Sequence, residues 1–320
     1  MSEEAKIEEK KSGIAYVFPG QGSQAVGMGK ELFDNFVEAR QVFEEADEAL
    51  GFSLSSLCFS GDETELQLTA NTQPAILTTS IAAFRVIEKE NLPRPQFVAG
   101  HSLGEYSALV AAGSLSLREA VKLVRARGKY MQEAVPPGAG AMAAVIGLGL
   151  EIIEKACKDA ALDQICSAAN INSASQVVIA GNAEAVDRAI ELLKERGARK
   201  AIKLNVSAPF HCALMLPAQE RLAKDLAEIK FNDLQFPLIE NVTAEANTKG
   251  ERVPQALEQQ VSSPVKWFQS VGKLMDEGVK NFVEVGAGKV LSGLIRQINR
   301  EVNCLNVENL ESLNQTKNFF

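Results

Sequence analysis

Ser102 sits in Gly100-His-Ser-Leu-Gly104, the Gly-x-Ser-x-Gly pattern of a nucleophile elbow. The context suits the pattern. The apolar run Phe97-Val-Ala99 reads as a buried strand, and Glu105 to Ala112 reads as a helix. A turn that tight leaves no room for a Cβ at either glycine. The serine is pushed out at the tip, beside a helix N-terminus whose free N–H groups and dipole favour developing negative charge. A Gly-rich turn with a capping serine is the plainer alternative. The serine therefore needs a partner before it reads as a nucleophile.

A serine hydroxyl is a poor nucleophile without a base beside it. The chain has only two histidines, His101 and His211. His101 precedes the serine in the elbow, so its side chain should point away from the Oγ. His211 lies in the irregular stretch Val206-Ser-Ala-Pro-Phe-His-Cys212, where catalytic side chains often sit, and is the better base. Between Ser102 and His211 the aspartates are Asp159, Asp163 and Asp187, and none clearly follows a sheet strand. A Ser–His dyad, its imidazole oriented by an amide or a backbone carbonyl, fits better than a triad with an acid. Arg127 adds a planar fork suited to a carboxylate, against the plain alternative of a solvated salt bridge on a helix.

The elements that must position these groups alternate. Gly13 to Phe18 reads as a strand, a helix is expected near 28–49, Gln73-Pro74 opens another, and the elbow strand and helix follow. This order implies a parallel sheet. Ser116 to Glu119 reads as a capping box opening the helix that carries Arg127. After Pro136-Pro-Gly-Ala-Gly140 the grammar changes to β-α-β-β-α-β, the order of a ferredoxin-like unit, over about residues 138–206. Strands at 237–240 and 281–285 and helices near 214–229, 256–261, 265–277 and 290–298 complete the order, and the tail from Asn303 is weakly patterned.

Composition narrows the function. Over 320 residues, 46% hydrophobic and 23% charged content suits a globular protein with a sizeable core. A net charge of −8 argues against nucleic acid or anionic membrane as the main partner. No apolar run approaches the length of a membrane span. Residues 1–12 are charged and read as a flexible extension rather than a signal peptide. Five scattered cysteines without CxxC spacing, with two histidines, point to a reducing compartment and no metal site.

Pro19-Gly-Gln-Gly-Ser-Gln24, Gly100-His-Ser-Leu-Gly-Glu105, Arg125-Ala-Arg-Gly-Lys129, Met131-Gln-Glu-Ala134, Gln176-Val-Val-Ile-Ala-Gly181, Pro209-Phe-His211 and Val285-Gly-Ala-Gly-Lys-Val290 stand in this order. With them the chain closely resembles the malonyl-CoA:acyl carrier protein transacylases of type II fatty acid synthesis, over roughly residues 13–300. The resemblance implies an α/β-hydrolase-like core with a parallel sheet, residues 13–137 and 207–320, and an inserted ferredoxin-like subdomain, residues 138–206. It implies Ser102 as the acylated nucleophile, His211 as its base and later acid, and Arg127 as the partner of the malonyl carboxylate. Backbone N–H groups of Gln21 and Leu103 would form the oxyanion hole, and Gln260, four residues before Pro264, matches the glutamine near the histidine.

The implied reaction passes malonyl from malonyl-CoA to the phosphopantetheine thiol of holo acyl carrier protein, with ping-pong kinetics. CoA and phosphopantetheine enter as substrates, so no cofactor is expected. A monomer in the cytoplasm, or in a stroma-like equivalent, is the expectation. Phe210 should crowd the α-carbon of the acyl group and disfavour methylmalonyl. Lys194, Arg196, Arg199, Lys200 and Lys203 offer a basic face for the acidic carrier protein, or simply a solvated one. A serine thioesterase or hydrolase keeps the same fold. A non-catalytic carrier-binding domain would lack one of Ser102, His211 and Arg127.

Overall fold

The structure is a computed structural model and describes residues 13–206 and 208–320. The extension expected at residues 1–12 lies outside the described residues. In chain order the strands are β1 (Gly13–Phe18), β2 (Phe97–Gly100), β3 (Gly140–Ile146), β4 (Cys166–Ser173) and β5 (Gln176–Asn182). They continue with β6 (Lys200–Lys203), β7 (Leu238–Ile239), β8 (Ala246–Asn247), β9 (Val279–Val285) and β10 (Asn303–Val307).

One sheet has the order β10-β9-β1-β2-β7-β8, parallel throughout except for the β7–β8 edge. The fold is thus α/β around a mainly parallel sheet. Every residue of β1 is buried, as a central parallel strand covered on both faces requires. Apolar side chains such as Phe282 and Val283 leave β9 toward opposite clusters, and Trp267 and Leu294 cover one of those faces. Each fully buried side chain of this size contributes about 1.5–3 kcal/mol. The second sheet, β4-β5-β3-β6, is antiparallel. The helices Leu150–Ala161 and Ala183–Glu195 pack on it around a separate apolar cluster.

The carboxyl ends of β1, β2, β7 and β9 open onto loops, where parallel sheets place their ligand sites. The elbow follows β2. A Cβ on Gly100 would stand 1.9 Å from the Gly104 carbonyl carbon, and one on Gly104 would stand 2.0 Å from the Phe18 oxygen of β1. The first glycine therefore makes room for the helix Gly104–Ala111, and the second for the neighbouring strand. Ser102 itself bears the strain, with φ 51°.

Local expectations shift in four places. The helix foreseen near 28–49 is two, Lys30–Asn35 and Val37–Leu50, because Phe36 is extended at φ −128° between them. The helix expected to open at Gln73-Pro74 begins at Thr69, with Pro74 inside it. The Leu68 carbonyl, which accepts from both Asn71 and Thr72 N–H, stabilises the turn ahead of the proline. Ser116 does cap the helix Leu117–Glu133 through Glu119 N–H, but the Glu119 carboxylate accepts from the Ser116 hydroxyl rather than from its backbone. The weakly patterned tail forms β10 and the helix Leu310–Phe319, opened by a capping box at Asn309.

Candidate active site

The geometry is built outward from the elbow. The Ser102 Oγ lies 2.7 Å from His211 Nε2. His211 sits in its loop at φ 60°, nearly buried, and its Nδ1 lies 2.9 Å from the Gln260 carbonyl oxygen. A carbonyl only accepts, so Nδ1 carries the proton and Nε2 turns its lone pair to the serine. The orienting group is thus the backbone carbonyl, the second of the two options the sequence left open. Burial and the Arg127 charge push the His211 imidazole down to about 3, so it is neutral at ordinary pH and able to accept a proton. His101 turns away from the serine: its Nε2 lies 2.9 Å from Asn172 Oδ1 and its ring tilts against Trp267.

Arg127 belongs to the apolar stripe of the helix Leu117–Glu133, with Ala120, Val124 and Met131. Beside it, Gly128 lets this helix approach the helix Thr69–Lys89, where a Cβ would stand 2.6 Å from the Thr69 oxygen. The close approach brings Gln73 to the guanidinium. Nη1 donates to Gln73 Oε1 at 2.8 Å, and Nη2 donates to Gln260 Oε1 at 2.9 Å and to Ser102 Oγ at 3.1 Å. Tyr106 lies under the guanidinium, 5.3 Å from ring centroid to Cζ. Arg127 is 1% exposed, and none of the ion pairs among the described residues includes it. Arg127 is therefore not the solvated salt bridge of the plain alternative.

Ser102, His211, Arg127, Gln21 and Leu103 line one cleft of about 140 Å³, with Phe210 on its wall. The backbone N–H groups of Gln21 and Leu103 have no hydrogen-bond partner among the described residues. Gln260 completes the group through its backbone and its side chain. Ser102, His211, Arg127, Gln21, Leu103 and Gln260 thus meet in one place.

Sequence reasoning missed others. Asn241, just past β7, accepts from the Ser102 N–H at 2.7 Å and donates to the Gly100 carbonyl at 2.6 Å, clasping the elbow. A polar residue just after a short parallel strand was the available signal. Gln73 was read only as a helix start. The basic stretch came out differently from a free cationic face. Lys194 pairs with Glu191, Arg196 with Asp159 and Lys203 with Asp187, which leaves Arg199 and Lys200 outside those pairs.

A strained serine paired with a neutral imidazole, in a cleft with unpaired backbone donors, is equipped for covalent acyl chemistry. Comparison with known proteins agrees. The family described as the acyl transferase domain matches residues 15–315. A malonyl CoA-acyl carrier protein transacylase of Bacillus subtilis is 48% identical over 306 residues, covering 94% of this chain and 95% of that protein. Among solved structures, an acyl carrier protein S-malonyltransferase of Vibrio cholerae superposes with a TM-score of 0.93 at 48% identity, covering 95% of this chain and 99% of that one. A malonyl-transacylase solved in complex with its type II PKS acyl-carrier protein matches with a TM-score of 0.93 at 46% identity, over 95% and 99% of the two chains. The fold and these relatives define an acyltransferase. The chain belongs to the acyl transferase family and, within it, to the malonyl CoA-acyl carrier protein transacylases, as the sequence motifs implied.

Proposed function

We propose that this enzyme moves malonyl from malonyl-CoA to the phosphopantetheine thiol of holo acyl carrier protein through a malonyl ester on Ser102. The observation that carries the reading is the shared position of Ser102 Oγ, 2.7 Å from His211 Nε2 and 3.1 Å from Arg127 Nη2. Base and cation converge on one hydroxyl. A substrate with a thioester at one end and a carboxylate two carbons away matches both.

In the first half-reaction Ser102 Oγ attacks the thioester carbon and its proton passes to His211 Nε2. The oxyanion lies toward the Gln21 and Leu103 N–H groups. The C–S bond breaks and His211 returns the proton to the departing CoA sulfur. In the second half-reaction the phosphopantetheine thiol gives its proton to His211 and attacks the ester. The C–O bond breaks and the proton returns to Ser102. Throughout, the Gln260 carbonyl holds Nδ1–H and fixes the tautomer. Arg127 pairs with the malonyl carboxylate, a bidentate contact that acetyl groups cannot make. Phe210, beside His211 on the cleft wall, limits room at the α-carbon.

In this reading residues 13–137 and 207–320 form the hydrolase-like catalytic core, and 138–206 form a ferredoxin-like insert. The antiparallel order β4-β5-β3-β6, with its two helices, supports the division. CoA and phosphopantetheine are substrates, so the chemistry calls for no resident cofactor. A cytoplasmic enzyme is in keeping with five free cysteines, four of them buried.

The test is initial-rate kinetics with malonyl-CoA and holo carrier protein both varied. Parallel double-reciprocal lines support transfer through an acyl-enzyme. Release of free CoA at the same rate without carrier protein makes water the acceptor and overturns the reading.

A further inference from the structure

Glu105 opens the helix behind the elbow, three residues after Ser102, and is 1% exposed. A carboxyl group is rarely placed so deeply without a task. It has no ion-pair partner among the described residues, and its hydrogen bonds go to two amides. Its Oε2 accepts from the Gln260 side-chain Nε2 at 2.7 Å and from the Asn241 backbone N–H at 3.2 Å.

The Gln260 amide has a donor end and an acceptor end, and the structure uses them oppositely. Its nitrogen faces acceptors: Glu105 Oε2, the Ser102 carbonyl at 2.9 Å and Asn241 Oδ1 at 3.5 Å. Its oxygen faces the Arg127 Nη2 at 2.9 Å. Turned over, the amide would set its NH2 against the guanidinium, donor to donor, and its oxygen against oxygens.

We propose that Glu105 is a positioning residue for substrate selection: by accepting from Gln260 it fixes which end of that amide meets Arg127, and so aims the guanidinium at the acyl group held on Ser102. The inference rests on the malonyl-transfer reading. The helix that carries the elbow thereby sets both the nucleophile and, through one amide, the cation. Burial pushes the Glu105 carboxyl up to about 8, and its accepting role survives protonation, because the second oxygen can bear the proton.

The test compares malonyl-CoA with acetyl-CoA as acyl donor for native enzyme, Glu105→Met, Glu105→Asp and Glu105→Gln, each also in an Arg127→Ala background. Met fills similar space with only a weakly accepting sulfur in place of the oxygens, and Asp withdraws the carboxyl while keeping the site polar. Gln keeps an oxygen where Gln260 needs one. The malonyl-to-acetyl ratio of kcat/KM should fall about tenfold in Glu105→Met, carried mainly by KM for malonyl-CoA. Asp should lower it too, which keeps the test alive if Met fails to fold, and Gln should recover most of it. With Arg127 already gone, the Glu105 substitutions should move the ratio by less than about twofold, since coupled residues are not additive. A loss shared equally by both donors, or an unchanged effect on the ratio in the Arg127→Ala background, overturns the proposal and makes Glu105 merely structural. Failure of native enzyme to transfer malonyl would instead overturn the function on which it rests.

Discussion

Arg127 and the cations of residues 194–203 are the same chemistry in opposite surroundings. Lys194, Arg196 and Lys203 lie at the surface, each beside an acid, with Lys203 to Asp187 at 2.8 Å and a side-chain exposure of 47%. Such pairs contribute about 0–1 kcal/mol and are screened by salt. Arg127 is buried and its hydrogen-bond partners are Gln73, Gln260 and Ser102, all neutral. Burying a cation without a counter-ion is costly. The cost is explained if the counter-ion is the substrate's carboxylate. Charge that is already neutralised reads as solvated surface, and charge that is held open by amides reads as a binding site.

Replacing Arg127 by Lys should have the largest effect on this contrast. An ammonium keeps the charge but cannot reach Gln73, Gln260 and a carboxylate as a planar fork does. The kcat/KM for malonyl-CoA should fall about 100-fold, with a smaller change for acetyl-CoA. A loss below threefold would mean that charge alone suffices.

The sharper, intermediate test uses the buried acid. Glu105 holds its proton more tightly folded, at about 8, than its ordinary value of 4.5. Its contribution to stability is therefore fully present below 4.5 and lost as pH rises toward 8. The native Tm should fall by a few degrees across that window relative to Glu105→Gln, measured by calorimetry in matched buffers. Parallel curves for the two proteins would contradict the burial argument.

The smallest effect belongs to the surface. Arg196→Ala and Lys203→Ala should each change stability by less than about 0.5 kcal/mol and leave KM for carrier protein within about twofold. A tenfold rise in that KM would restore the basic stretch as a docking face and erase the contrast.

What could be read ahead of the structure divides along the same line. Ser102 was legible because the elbow is a local motif whose glycines answer to close backbone contacts within the turn and with β1. His211 was legible because only two histidines compete for the role. Gln73 and Asn241 were not, since an amide gains meaning only from what faces it, and the Arg127 and Ser102 that they meet are 54 and 139 residues away in sequence. The acids that neutralise Arg196 and Lys203 were likewise hidden by tertiary placement. The tail escaped notice for another reason: β10 is an edge strand with three of its five residues only half-buried, so its alternation is faint. Pro74 suggested a helix start because proline suits the first turn, and only the contacts around Leu68 show that the helix begins earlier.

The most direct test of the account is the intact mass of native protein and of Ser102→Ala after brief exposure to malonyl-CoA. A single malonyl adduct on native protein alone, discharged by holo carrier protein, is the predicted result. An adduct that persists in Ser102→Ala, or one that holo carrier protein does not remove, would contradict it.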